Sequence, residues 1–176
     1  MFVELILSSI AAGLIATAVM VFFLYLPITW NGDFYDVLGA LGATITRTVD
    51  AQTRFIGGII YFGGGLIFSV LYGWAVLALL RAETSFGIPQ IVIFPGAPVE
   101  INLFYPLIGA VFGLGHGVLV ALLVTIIVIE HHPLERYRAR FILVISQLIS
   151  HVVFGITVMF FHSQFLQLLA DFGNGG

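Results

Sequence analysis

The sequence predicts an all-α integral membrane protein built as a bundle of four transmembrane helices. Of its 176 residues, 60% are hydrophobic and only 9% are charged, and the mean hydropathy is +1.14. A soluble domain carries about 25% charged residues, so this chain has too few charges to cover a surface that faces water. Four segments also reach the length of about 20 apolar residues that a membrane span requires.

The four predicted spans account for most of a single membrane domain that covers residues 1–176. They are expected at about Leu5–Leu26, Phe55–Leu80, Leu107–Ile129 and Phe141–Leu169. Pro27 ends the first span, Arg54 and Arg81 flank the second, and Pro106 opens the third. The fourth is long enough to project beyond the bilayer near His162.

The first two loops have their own patterns. In the first, apolar residues at helical spacing predict a short helix at the membrane interface, with Asp33 as its N-cap; they are Phe34, Val37, Leu38, Leu41 and Ile45. A Gly-rich loop packed on the bundle is the alternative. The second loop contains prolines that exclude a long helix, at positions 89, 95, 98 and 106. We expect an extended, apolar strap there that contacts another subunit.

Small residues recur at every fourth position in the spans. Such rows allow helix backbones to approach closely in lipid. The predicted packing residues are Gly109, Gly113, Gly117 and Ala121 in the third span, Gly13 in the first, Gly65, Ser69 and Gly73 in the second, and Gly155 in the fourth. The simplest interpretation is that they form the inward faces of the bundle; a ligand or a partner helix held against these faces is the alternative.

Two histidines lie inside the third and fourth spans. His116 and His151 are nearly the same number of residues from the turn at Pro133–Glu135, and one residue of offset is only about 1.5 Å of helical rise. An antiparallel hairpin therefore places them level with each other. Such a pair is a candidate cofactor site that can hold a haem b between the helices, serve in proton or quinone chemistry, or form structural hydrogen bonds.

A polar cluster at the end of the third span has residue types that suit zinc or iron. It comprises Glu130, His131, His132 and Glu135. Neighbouring positions on a helix point in different directions, and no spaced metal motif is present. We therefore interpret the cluster as anchoring residues and predict no metal site.

Charge and motif content exclude several functions. The net charge is −3, with no lysine and no cysteine, so no basic patch is present for nucleic acid. No P-loop or nucleophile-elbow motif appears, and no enzymatic activity is predicted. Arginine is concentrated in the first and third loops, which predicts that these loops are cytoplasmic and that both termini are on the other side. The expected location is the bacterial cytoplasmic membrane.

Two motifs resemble those of small bacterial four-helix integral membrane proteins of unknown function. The first, A-G-x-x-A-T-x-x-M, matches Ala12–Met20, and the second, H-x-[VI]-[YF]-G, matches His151–Gly155. The resemblance implies a four-helix fold and no particular activity. This chain departs from the family pattern near Gly58, where a histidine is expected.

These features lead to three functional expectations. The first is a non-catalytic accessory subunit of a larger respiratory or photosynthetic membrane complex, whose partners are other membrane subunits and bound lipids. The second is a haem- or quinone-associated electron-transfer module that uses His116 and His151. The third is a transporter for a small solute or a lipid, which the absence of charges in the middle of the spans disfavours.

Overall fold

Four long apolar helices form the protein, as the sequence predicts, and each is long and apolar enough to cross a membrane. The computed structural model describes residues 2–30, 34–86, 91–93, 101–124, 131–138 and 141–174. The helices are α1 (Phe2–Tyr25), α2 (Val37–Thr46), α3 (Ala51–Phe86), α4 (Phe104–Val124) and α5 (Phe141–Asn174). Short 3₁₀ turns cover Leu26–Trp30 and Glu135–Tyr137.

The observed helix bounds differ from the predicted ones mainly at the second and third spans. Helix α3 begins at Ala51, where Asp50 accepts a hydrogen bond from the N–H of Thr53 (2.7 Å), and it includes Arg54. Helix α4 begins at Phe104, so Pro106 lies within its first turn, where the missing N–H costs nothing. The predicted end of this span, residues 125–130, lies outside the described residues.

The four spanning helices are arranged as an incomplete ring in the order α4, α5, α1, α3. Among the spanning helices, the most extensive contacts join α4 to α5, α5 to α1 and α1 to α3. Each helix buries one side against its neighbours. In helix α1, the buried side includes Ser9, Gly13 and Thr17. Large apolar side chains on the outside, such as Ile67 and Leu119, are more than 60% exposed and form the surface that contacts lipid.

Rows of small residues lie at the junctions between these helices. At the α4–α5 junction, a side chain added at Gly113 would collide with the carbonyl oxygen of His151. Gly109 and Gly155 lie against each other's carbonyl oxygens, a Cβ at Gly117 would be 2.9 Å from the Cβ of His151, and Ala121 is buried. The two backbones therefore touch, which requires glycine.

Small residues also allow close packing at the α1–α3 junction. A Cβ at Gly13 would lie 2.8 Å from the Cβ of Ser69, and one at Gly65 would collide with the hydroxyl of Thr17. A Cβ at Gly73 would be 2.7 Å from Leu5 and 2.8 Å from His162. The first, second and fourth spans therefore meet beside Gly73, where small and polar residues form the contacts.

Helix α2 confirms the predicted short helix in the first loop, but its N-cap and its packing face differ from the prediction. The N-cap is Asp36, whose carboxylate accepts from the N–H of Gly39 (2.9 Å); the predicted cap, Asp33, lies outside the described residues. The buried face consists mainly of small residues, whereas Phe34 and Ile45 are exposed. Gly42 and Gly57 bring the α2 and α3 backbones into direct contact, which favours small residues over large apolar ones.

The second loop contains a short antiparallel pair of strands, β1 (Val92–Ile93) and β2 (Ile101–Asn102). The described part of this loop is therefore extended, as the prolines predict. Pro89, Pro95 and Pro98 lie outside the described residues.

Candidate functional site: an intramembrane cavity

The rings of His116 on α4 and His151 on α5 are in direct contact in the middle of the bundle. Their centroids are 4.7 Å apart and their planes are nearly perpendicular, at 86°. The Nδ1–H of His151 donates a hydrogen bond to the carbonyl oxygen of Gln147 (2.6 Å), one helical turn earlier. The antiparallel hairpin thus brings together the two residues that the sequence places at one level.

His116 has a different environment from His151. Both of its ring nitrogens are buried and neither has a hydrogen-bond partner. Its ring lies on that of Phe68 from α3, with centroids 3.7 Å apart and planes 29° apart. A buried polar group without a partner costs on the order of 1–3 kcal/mol. A ligand that forms a hydrogen bond with this imidazole would remove that cost.

A cavity of about 200 Å³ adjoins this histidine. Helices α1, α3, α4 and α5 supply its walls, and Tyr35 together with α2 covers one end. Tyr61 on α3 also lines the cavity, and its hydroxyl is buried and has no hydrogen-bond partner. The other lining residues are Thr17, Met20, Val37, Ala40, Leu41, Ile60, Gly64, Gly65, Phe68, Val120, Gln147, His151 and Phe154.

The cavity is uncharged and largely apolar. Within the part of the chain that the structure describes, its lining contains no aspartate, glutamate, lysine or arginine. Phe68 and His116 belong both to this lining and to that of a shallower groove of about 380 Å³ on the outer surface between α3 and α4. The stacked pair therefore lies between the cavity and this groove.

The geometry does not fit a haem held between His116 and His151. Axial histidines lie on opposite faces of the macrocycle, each with its nitrogen about 2 Å from the metal, whereas these two rings touch edge to face. The backbones of α4 and α5 are also in contact on both sides of this level, at Gly113 and Gly117. No space remains between the two helices for a flat cofactor.

A second buried histidine site, around His162, is not among the predicted site residues. This residue is fully buried, and its Nε2–H donates to the carbonyl oxygen of Ser69 (2.9 Å). Its Nδ1 lies 3.1 Å from the hydroxyl of Ser8, and the hydroxyl of Ser69 is 3.1 Å from Nε2. In the sequence, the four-residue spacing of Ser69 and Gly73 could have indicated this site, because both residues lie beside the His162 ring.

Helix α2 is fixed over the cavity by a polar cluster at the membrane surface. Asp36 accepts hydrogen bonds from the hydroxyl of Tyr25 (2.7 Å), the N–H of Gly39 and the guanidinium of Arg54 (2.8 Å). Burial alone would raise the pKa of Asp36, but these donors more than offset it and hold the pKa below its ordinary value. The cap over the cavity therefore depends on an ionised carboxylate.

The third loop closes over α2 through His132. The Nε2–H of this buried residue donates to the carbonyl oxygen of Ala40 (3.1 Å), and its Nδ1 accepts from the N–H of Leu134 (3.0 Å). The hydroxyl of Tyr35 donates to the carbonyl oxygen of Tyr137 (2.6 Å). Among the described residues, no group of three or more potential ligand side chains is placed to hold a metal ion; Glu130 lies outside them.

Comparisons with known proteins supply no further assignment: no family model, curated protein or solved structure matches this chain. The resemblance of its two short motifs to small bacterial membrane proteins stays a prediction.

Proposed function

We propose that this protein binds one small, neutral and largely apolar molecule taken from the lipid phase. The observation that carries the proposal is that His116 and Tyr61, whose polar atoms have no hydrogen-bond partner, both line a largely apolar cavity. A pocket of this kind, with apolar walls and a few polar groups, is typical of a ligand site.

The size and charge of the cavity limit its occupant. An apolar cavity of about 150 Å³ is large enough for benzene, so about 200 Å³ accommodates a substituted six-membered ring. A charged headgroup would enter a lining whose described residues supply no counter-ion, which is costly at low dielectric. The cavity therefore favours a neutral ring over a phospholipid or a free fatty acid.

Neighbouring glycines on α3 provide the test. Side chains added at Gly63 and Gly64 would both enter open space, but only Gly64 lines the cavity. We expect Gly64→Leu to abolish binding of a fluorinated decylbenzene, measured by fluorine NMR in lipid nanodiscs, while Gly63→Leu leaves it intact. Equal binding by the two variants, or no binding by the unmodified protein, would contradict the proposal.

A second candidate function is the accessory subunit of a respiratory or photosynthetic complex. Helices α3 and α5 contain 36 and 34 residues, which at about 1.5 Å per residue exceeds the roughly 30 Å thickness of the hydrocarbon core. These helices offer surface beyond the bilayer to other subunits. Mass spectrometry of the natively extracted assembly tests this role, and a chain that is always extracted alone would count against it.

We also propose a bacterial cytoplasmic membrane as the location, with both termini on the non-cytoplasmic side. Arg47, Arg136 and Arg138 lie in the described loops at one end of the bundle, and Arg54 lies near the start of α3 at the same end, whereas Arg81 lies near the opposite end of α3. Positive residues favour the cytoplasmic side. A reporter fused to the C-terminus that is active only in the cytoplasm would overturn this orientation.

A further inference from the structure

We propose that the cavity holds the head ring of a quinone-class molecule, a neutral six-membered ring with oxygens on opposite edges. This inference rests on the proposed function and specifies its ligand. It starts from the chemistry of the unpaired groups that the cavity contains.

The two unpaired groups are suited to oxygen atoms on a neutral ligand. A tyrosine hydroxyl and a neutral imidazole can each donate one hydrogen bond and accept another. They can therefore donate to the carbonyl oxygens of a quinone and accept from the hydroxyls of a hydroquinone. Hydrocarbon alone would leave His116 and Tyr61 unpaired.

The positions of these groups fit a ligand that is bonded at both ends. Tyr61 precedes Phe68, the stacking partner of His116, by two turns of α3, which is about 10 Å of helical rise. A six-membered ring with a hydrogen bond of about 2.8 Å at each end spans a comparable length. Tyr61 and His116 thus mark two levels of the cavity.

Aromatic walls and an outer groove match the remaining parts of such a molecule. Phe68 and Phe154 line the cavity and offer ring faces for stacking. The groove between α3 and α4 begins at the same Phe68–His116 pair and continues along Leu71, Tyr72, Val111 and Phe112. An apolar tail attached to the ring can leave the cavity past this pair and lie in the groove against lipid.

The inference is tested with three probes that share a ten-carbon tail: a decyl-substituted benzoquinone, decylbenzene and decanoic acid. We expect the unmodified protein in nanodiscs to bind the quinone more tightly than the other two. Tyr61→Phe and His116→Phe should each weaken quinone binding about three- to tenfold, the equivalent of one hydrogen bond. Neither should change decylbenzene binding more than about twofold, because neither removes a bond to that probe.

Tyr72→Phe is the matched control. The hydroxyl of Tyr72 is also buried without a partner, but Tyr72 lines the groove and not the cavity, so its removal should leave quinone binding unchanged. Equal affinity for the quinone and decylbenzene, tighter binding of decanoic acid, or equal effects of Tyr61→Phe and Tyr72→Phe would overturn the quinone assignment. Decylbenzene binding that Gly64→Leu abolishes would still support the proposed function in those cases, whereas failure of all three probes to bind would overturn both.

Discussion

The imidazole of His116 lies flat on the ring of Phe68, with the two centroids 3.7 Å apart. Both residues line the internal cavity on one side and the outer groove on the other. The stack therefore forms a wall that the cavity and the groove share.

Narrowing the groove beside this wall should slow ligand entry. Gly115 lines the groove, and a side chain added there meets no atom within 4 Å, so Gly115→Leu fills the approach without disturbing the fold. We expect slower association and slower dissociation of fluorotoluene, which has no long tail, with an unchanged dissociation constant. Fluorine NMR line shapes report both rates. Gly63→Leu is the control, and unaltered rates in Gly115→Leu would place the entry route elsewhere.

The same substitution two residues earlier should instead destabilise the protein. A side chain at Gly113 collides with the carbonyl oxygen of His151, so Gly113→Leu must separate α4 from α5. Overpacking of this kind costs about 1–3 kcal/mol, whereas Gly115→Leu should stay near the parent value. Thermal unfolding in detergent measures the difference. Similar stability of the two variants would show that the α4–α5 contact contributes little.

Stability should respond differently when the polar atoms of His162 and of His116 are removed. His162→Leu removes the hydrogen bonds to Ser69 and Ser8 and should cost about 1–3 kcal/mol, because those groups are left buried. His116→Leu removes no hydrogen bond and should change stability by less than about 1 kcal/mol. Unfolding of both variants without ligand checks this, and a larger loss in His116→Leu would contradict it.

Acid should loosen the cap over the cavity through Asp36. The pKa of Asp36 is held below its ordinary value of 3.8, so its contribution is fully present above that pH and is lost as the pH falls through the folded-state value. Asp36→Asn should remove this dependence. Hydrogen exchange of the α2 amides between about pH 6 and pH 3 measures it. A constant difference between the two proteins across this range would exclude the carboxylate as the cause.

The sequence was sufficient for the spans, because length and hydropathy determine them, and for the level of His116 and His151, because an antiparallel hairpin requires only a count from its turn. It was insufficient to distinguish Gly113 from Gly115. Two residues apart on one helix, the first contacts a backbone and the second faces open space. The cavity could not be predicted either, since its lining comes from five helices whose relative positions no local pattern encodes.

His162 shows a different limit of sequence analysis. A span longer than the bilayer predicts a projecting end near this residue, yet the start of α1 and the second half of α3 also extend to this level and enclose it. The N-cap is Asp36, and not the predicted Asp33, for a comparable reason. Tyr25 and Arg54, from two other elements, both donate hydrogen bonds to the carboxylate of Asp36. Tertiary partners, which lie far away in the chain, decided both positions.

The incomplete ring of helices has one junction unlike its other three. Small residues hold α4 to α5 and α1 to α3 at backbone distance, and α5 packs broadly on α1. Between α3 and α4, the contacts are made by aromatic side chains, His116 with Phe68 and Tyr72 with Phe112. The bundle can therefore widen towards the lipid by separating α3 from α4, while the glycine contacts of the α4–α5 and α1–α3 junctions stay in place.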